Sequence, residues 1–550
     1  MNDDYSILIG GAAGLGSRKA GLMLAKLFSE FGYRIFIYDD YQSLIRGGHS
    51  FSNIRVSAKE VLSHKKDIDF LLALDKETIE KHQKELKKAG LIVYNSSCFS
   101  LKNKNAVGVP AEEIVAKFGG SRIMGNTAVI AGFAKIIGID WATVENILKR
   151  ELKKFQDINI KIARFSFERN KKLFNLRRLN RKPMPLLTGN EAVALGAAKA
   201  GLDLYIAYPM TPATGILHYF ASQESRLKVK TFQLENEVGI ANAALGAAYA
   251  GARTMVGTSG GGFALMTEAF SSAAQGEIPM VIVESQRMSP GTGVATYQGQ
   301  GDLSFVLGAG HGDIVRFVVA PGDADEACFW AGKILNLAWK FQTPSVLLID
   351  KEISESTFSF DERILKRIKP ERPLLWNGKG KYLRYKKTKS GISPLAFPGN
   401  KKAVVKSNSY EHDEFGITVE DKKEVEEMQN KRLRKFKKMK EEVEKLPAVN
   451  IFGSKTSKKA IIVWGSTKGP AKEAAEELKI KMIQPIVIEP FPERQMKTAL
   501  KGVKEIVLAE TNGLGQMEKI LNCYNIKADK KILKYNARPF TAEEIKEKLI

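Results

Sequence analysis

Short apolar runs alternate with longer stretches of helical periodicity along most of the chain. Residues 5–9 (Tyr-Ser-Ile-Leu-Ile) read as a buried strand. Apolar positions then recur at helical spacing from Ser17 to about Glu30, and Arg34–Tyr38 forms a second run ending at Asp39-Asp40. Runs near Phe70–Leu74 and Leu91–Tyr94 continue the rhythm, which predicts an α/β domain over 1–185. The rhythm resumes at Leu187, with a helix over Glu191–Ala200 and a strand over Leu204–Ala207. Tyr208–Thr214 forms the exit loop, and a Gly/Ala-rich helix follows over Glu237–Ala250. Further strands are predicted at Thr254–Gly257, Met280–Val283 and Ser345–Ile349, giving a second α/β domain over 186–365. Lys459–Trp464 opens a third and smaller one over 451–550. Between them, 366–450 reads as an insertion or linker. Its helix, from about Val419 to Glu444, is polar nearly all round and is expected to be exposed or to lie against a partner. The basic stretch from Lys161 to Lys182, closed by Pro183-Met184-Pro185, reads as a linker. Strands alternating with helices predict parallel sheets, so the fold class is α/β with three α/β domains.

A chain of 550 residues is too long for one core. No apolar run approaches the ~18 residues of a membrane span, and residues 1–10 carry no secretory pattern, so a cytoplasmic protein is expected. The three cysteines, Cys98, Cys328 and Cys523, are far apart and show no CxxC spacing. They predict neither a disulfide framework nor a cluster or zinc site held by this chain. The net charge of +24 is lumpy, with seven Lys or Arg among residues 431–440. Without zinc-finger spacing or an RNP aromatic pattern, these runs read as solvated faces or a surface for an acidic partner. A basic scaffold or nucleic-acid-binding protein is the alternative.

Candidate chemistry lies in two places. The first is Gly11-x-x-Gly14-x-Gly16 before the Ser17 helix. It is a phosphate-sized turn but departs from the G-x-G-x-x-G of dinucleotide folds; with Asp39-Asp40 after the second strand, it leaves a nicotinamide-dependent oxidoreductase as an alternative function. The loop Tyr41–Ser50, with Arg46, Gly47, Gly48 and His49, follows it; a lone loop histidine there reads as a hydrogen-bonding loop residue. The second is Tyr205–Asp302, whose polar groups fall at the C-terminal ends of predicted strands, where open α/β sheets bind ligands. Glu237, opening a Gly/Ala helix, suits proton sharing with a ring nitrogen or simple complementarity to the helix dipole. Arg287 could grip a substrate carboxylate or a neighbouring acid. Thr211 sits between two prolines, which aims its hydroxyl or merely makes a tight turn. Gly260–Gly262 permits close approach of a flat ligand, of a phosphate, or of a strand to a helix.

Together, in this order, Tyr208-Pro209-Met210-Thr211-Pro212, the Glu237 helix, Thr258-Ser259-Gly260-Gly261-Gly262-Phe263 and Gln286-Arg287 resemble the alpha subunit of the 2-oxoacid:ferredoxin oxidoreductases, in the form with the gamma domain fused at the N-terminus. By that resemblance 1–185 is a gamma domain, on Gly10–Gly16 and Leu44-Ile45-Arg46-Gly47-Gly48-His49. Residues 186–365 are a thiamine diphosphate pyrimidine-binding domain, and 451–550 a transketolase C-terminal-like domain. It implies coenzyme A-dependent oxidative decarboxylation of a 2-oxoacid with reduction of ferredoxin. Glu237, Arg287 and Thr211 would be catalytic. Glu237, Tyr208, Pro209, Thr258, Ser259, Gly260 and Phe263 would contact the cofactor. Met210, Ala213, Gly261 and Ser289–Gly293 depart from the family pattern and leave the preferred 2-oxoacid unassigned. No Gly-Asp-Gly occurs in the chain and its cysteines cannot hold a cluster; the resemblance therefore implies that Mg²⁺ with its ligands, and an iron–sulfur cluster, come from a beta subunit in a hetero-oligomer, with no metal site in this chain.

Overall fold

The computed structural model describes residues 3–42 and 48–550; Ser43–Gly47, including Arg46, lie outside the described residues. The chain packs as two compact units, one of Met1–Leu187, Ser356–Asp361 and Thr541–Glu543, the other of Thr188–Glu355, Glu362–Phe540 and Glu544–Ile550. Both are α/β, and the described residues form three sheets. Among the described residues no helix is long and apolar enough to cross a membrane.

The first unit is built on one sheet, and its strand order changes the reading of the Gly-rich start. Asp4–Ala12 runs antiparallel to His49–Ser57, which in turn runs antiparallel to Arg34–Asp40. The first two strands are therefore separated by a third, unlike the adjacent parallel pair of a dinucleotide fold. Gly10 and Gly11 lie within the strand, and Asp39 is taken by Arg18 at 3.1 Å and by the Ser52 hydroxyl at 2.5 Å. An acid held in this way is not presented to a ribose, so the geometry does not support the alternative nicotinamide reading. His49 opens a strand instead of sitting in a loop, and its Nε2 lies 2.9 Å from Nε2 of His82. The basic stretch expected as a linker is half helix. Gln156–Arg169 packs on Gly125–Ile137, with Ser166 Oγ donating to Ala128 O at 2.7 Å. The chain beyond it is strapped down by Phe174 N and Leu176 N donating to Ile136 O and Ile137 O.

In the second unit seven strands stand in the order Val487–Glu489, Phe317–Val319, Pro344–Asp350, Met280–Gln286, Thr254–Thr258, Leu204–Ala207, Lys230–Gln233. All but the first run parallel. Their near-continuous apolar runs follow from burial on both faces. Five strands between Val449 and Leu533 make the remaining sheet. Polar links join it to the larger one. Ser466 donates to Asp350 through its amide and its hydroxyl, at 3.1 and 2.7 Å, and the Lys468 ammonium is buried between Asp323 and Glu326.

The charged helix expected to be exposed is observed at Lys422–Val443, and one face of it is buried. Lys431 and Lys435 both reach the fully buried carboxylate of Glu277, and Arg432 pairs with Glu411. The helix reads as polar because its buried stripe mixes Met428, Met439 and Val443 with Lys431, Arg432 and Lys435, whose long apolar stems pack while their charged ends find a carboxylate.

Candidate functional site

The parallel strands of the second unit end on one side of the sheet, and five chain segments gather there. A capping box starts the first helix. Thr188 Oγ1 accepts from Glu191 N at 3.2 Å, and Glu191 Oε2 accepts from Thr188 N at 2.8 Å. That fixes Asn190, whose Nδ2 donates to Pro212 O at 2.8 Å and holds the Tyr208–Ala213 loop. In the same loop Thr211 O accepts from Arg287 NH1 at 2.8 Å. Thr211 and Arg287 therefore do come together, through the threonine backbone carbonyl. The Arg287 guanidinium is half-buried. Burial lowers its pKa, with Asp302 and Glu284 acting in the opposite sense, and among the described residues neither closes to an ion pair with it.

Glu237 is the first residue of the helix Glu237–Tyr249, capped by Asn236, whose side chain accepts from Gly239 N at 2.8 Å. The cap already serves the free backbone donors. The Glu237 side chain turns instead against the loop after Thr254–Thr258, where its Oε1 is buried and has no hydrogen-bond partner among the described residues. The two outer glycines of Gly260–Gly262 are explained by the chain's own side chains. A Cβ at Gly262 would stand 2.0 Å from Thr258 Oγ1 and 2.8 Å from Glu237 Oε1, and one at Gly260 would stand 2.6 Å from Asp302 Oδ2. A Cβ at Gly261 would meet nothing within 4 Å. The turn is thus pressed between two carboxyl groups, with one open position facing outward.

A cavity of about 540 Å³ opens beside it, lined by Ser259, Gly260 and Gly261, by Arg287 and Asp302, and by Thr511–Leu514 and Tyr535 across from them. Ser259 caps the helix Gly260–Gln275 by position, yet its hydroxyl makes no capping bond and is buried without a partner. Glu237, Thr211, Tyr208 and Pro209 do not line this cavity. Tyr208 is exposed, and Thr258 is buried with its hydroxyl 3.6 Å from Met210 Sδ. Phe263 is fully buried and packs edge-on against Phe270 and Phe305, so it supports the turn from the core. Sequence reasoning passed over Glu284, Asp302 and Asp350, which are buried at the ends of two strands and in the loop beside them. A carboxyl inside an otherwise apolar strand, as in Met280-Val281-Ile282-Val283-Glu284, was the available signal.

Comparisons with known proteins agree with this arrangement. A family model described as pyruvate flavodoxin/ferredoxin oxidoreductase, thiamine diP-binding, matches residues 195–431; another, pyruvate ferredoxin/flavodoxin oxidoreductase, matches 6–168. The chain is 31% identical to 2-oxoacid:ferredoxin oxidoreductase 2, subunit alpha, of Aeropyrum pernix, over 98% of this chain and 96% of that one. It is also 31% identical to the 2-oxoacid:ferredoxin oxidoreductase subunit alpha of Saccharolobus solfataricus, with the same coverage. Among solved structures, 2-oxoglutarate:ferredoxin oxidoreductase from Magnetococcus marinus, with 2-oxoglutarate, coenzyme A and succinyl-CoA bound, superposes with a TM-score of 0.90 at 25% identity, covering 100% of this chain and 99% of that one.

Proposed function

Because this chain belongs to the family of 2-oxoacid:ferredoxin oxidoreductase alpha subunits, we propose that its second unit presents half of an active centre for oxidative decarboxylation of a 2-oxoacid. Coenzyme A is the acyl acceptor; the products are acyl-CoA, CO₂ and reduced ferredoxin. The observation that carries the reading is Glu237 Oε1, buried and unpartnered at the mouth of the sheet. A native fold rarely leaves such an atom unsatisfied unless a bound group completes it. An aminopyrimidine ring nitrogen, able to share a proton with a carboxyl, is the right complement. The free Ser259 hydroxyl and the open approach at Gly261 fit the same flat group.

Thiamine diphosphate, when bound, supplies the electron sink for breaking the bond to the departing carboxylate. The chain's own residues do the rest. Glu237 holds a proton at the pyrimidine nitrogen. Arg287, tethered to the Thr211 carbonyl and without an ion pair among the described residues, receives the 2-oxoacid carboxylate. The domain assignment follows the same reading, with 1–185 as gamma domain, 186–365 as pyrimidine-binding domain and 451–550 as transketolase C-terminal-like domain.

A partner is implied on two counts. The diphosphate needs a hard cation with oxygen ligands, and the chain has no Gly-Asp-Gly to hold one. Around the mouth, Tyr208, Phe232, Val238 and Leu265 are exposed, and the outer face of the Glu237 helix is smooth at Gly239 and Gly246. An apolar rim of this kind marks a protein contact. A beta subunit seated there brings Mg²⁺ and an iron–sulfur cluster, through which electrons pass to ferredoxin.

The test is dye-linked assay of the chain co-expressed with its beta subunit. Arg287→Met should lower kcat/KM for the 2-oxoacid by at least about 2 kcal/mol, roughly 30-fold, the cost of truncating one partner of a desolvated charge pair. Most of the loss should fall on KM. An Arg287→Met complex with an unchanged KM would remove the guanidinium from carboxylate recognition.

A further inference from the structure

Behind Arg287 lies a second pair of acids that the proposed chemistry does not use. Glu284 is the fifth residue of the strand Met280–Gln286 and is completely buried; Asp302 closes the loop before the helix Leu303–Gly308 and lines the cavity. Asp302 is firmly held. Its amide donates to Gln286 Oε1 at 3.1 Å, its Oδ1 accepts from Ser289 Oγ at 3.3 Å, and its Oδ2 lies against Gly260. The Glu284 carboxyl, two residues before Gln286 and so on the same side of that strand, is its acidic neighbour, with Arg287 on the opposing side of the charge balance. With both groups ionised, Glu284 Oε1, Glu284 Oε2 and Asp302 Oδ2 would be buried with no donor among the described residues. Two carboxylates in contact away from water repel strongly, and a buried charge without partners is among the most costly arrangements in a fold. One proton between them removes the conflict.

We propose, resting on the functional reading above, that Glu284 is a positioning residue that keeps a proton and donates it to Asp302, so that the pair carries one negative charge instead of two and Arg287 stays available to the 2-oxoacid carboxylate. The electrostatics of the site agree. Burial raises Glu284 well above the usual carboxylate range, and Asp302 and Asp350 add to the rise, while Arg287 opposes it. Asp302 is raised less, because Ser289, Glu284 and Arg287 all favour its ionised form. The proton thus belongs on Glu284. Asp350, beside Gln286 on the neighbouring strand, is raised by burial as well, but its oxygens are satisfied by Ser466, Gln300 and the Ile353 amide, so it does not depend on the pair for a donor.

The sign follows. A group whose pKa is raised in the fold loses its proton only on the alkaline side. As pH rises through the Glu284 transition, a second negative charge appears behind Arg287 and competes with the incoming anion. Glu284→Gln fixes the pair at one charge, because the amide still donates to Asp302, whereas Glu284→Ala leaves Asp302 Oδ2 without its donor.

Two measurements on the complete alpha–beta complex decide the matter. Infrared spectra of the ligand-free complex should show a protonated-carboxyl stretch at neutral pH that is absent in Glu284→Gln. In the dye-linked assay with pyruvate and with 2-oxoglutarate, KM of the wild type should rise about tenfold or more toward alkaline pH. Glu284→Gln should lack that rise, and Glu284→Ala should show KM raised roughly 10- to 100-fold already at neutral pH, as for loss of a hydrogen bond to a charged group. A stretch that persists in Glu284→Gln, an alkaline rise shared by that variant, or a Glu284→Ala complex with wild-type KM overturns the proposal. A wild-type complex inactive on every 2-oxoacid would instead refute the functional reading, and the infrared result would still decide where the proton sits.

Discussion

Replacing Glu237 with alanine should reduce 2-oxoacid-dependent dye reduction by the assembled complex by roughly 10²- to 10⁴-fold, the usual contribution of a positioned proton-transfer group. The same change should leave the melting temperature of the chain unchanged or slightly higher. The two halves of the expectation come from one fact. Glu237 Oε1 is buried yet accepts no hydrogen bond among the described residues, so its removal breaks no hydrogen bond at that atom and relieves an unsatisfied acceptor, which offsets the lost packing. Were the residue there only for the helix dipole, its loss would weaken the helix by about 0.3–1 kcal/mol and leave turnover alone. Asn236 already caps that helix, which argues against the dipole role. Parallel thermal melts and dye assays of the Glu237→Ala complex separate the two.

Glu277→Ala should have the opposite character, a large loss of stability of about 3–5 kcal/mol, the cost of removing one member of a buried ion pair. Glu277 is fully buried between Lys431 and Lys435, which are themselves buried. Burial alone would raise its pKa; the two ammonium groups overcome that and hold the carboxyl well below the usual range. A depressed carboxylate pKa stabilises the fold above its unfolded value and loses that contribution as pH falls toward the folded value, so the wild type should be acid-sensitive in this element. Without the carboxylate, two ammonium groups face each other in the interior. Burial already pushes Lys435 down to about 8. The variant therefore sheds lysine protons, and its deficit should shrink as pH rises. Denaturant unfolding at several pH values reads both effects.

These two acids mark what could and could not be read from the chain. Strands such as Leu204–Ala207 and helices such as Ser17–Glu30 were legible, because apolar periodicity and cap residues act locally. Thr211, Glu237, Ser259 and Arg287 could be brought to one sheet edge because parallel strands place their exits on one side. Partnership across long sequence distances was not legible. Lys431 and Lys435 looked like solvated charge until Glu277, more than 150 residues earlier, supplied the buried counter-charge. The insertion of His49–Ser57 between the first two strands was likewise invisible, since strand order depends on pairing and not on pattern. Phe263 was misplaced for a related reason. Adjacent positions of a helix point in different directions, so Gly261 faces outward while Phe263 enters the core.

Thiamine diphosphate affinity tests most directly whether this polypeptide is one half of a shared centre. Calorimetric titration with the cofactor and Mg²⁺ should show saturable binding to the alpha–beta complex, little to either chain alone, and clearly weaker binding to the Glu237→Ala complex. Equal affinity for the isolated chain, or a complex whose binding ignores Glu237, would contradict it.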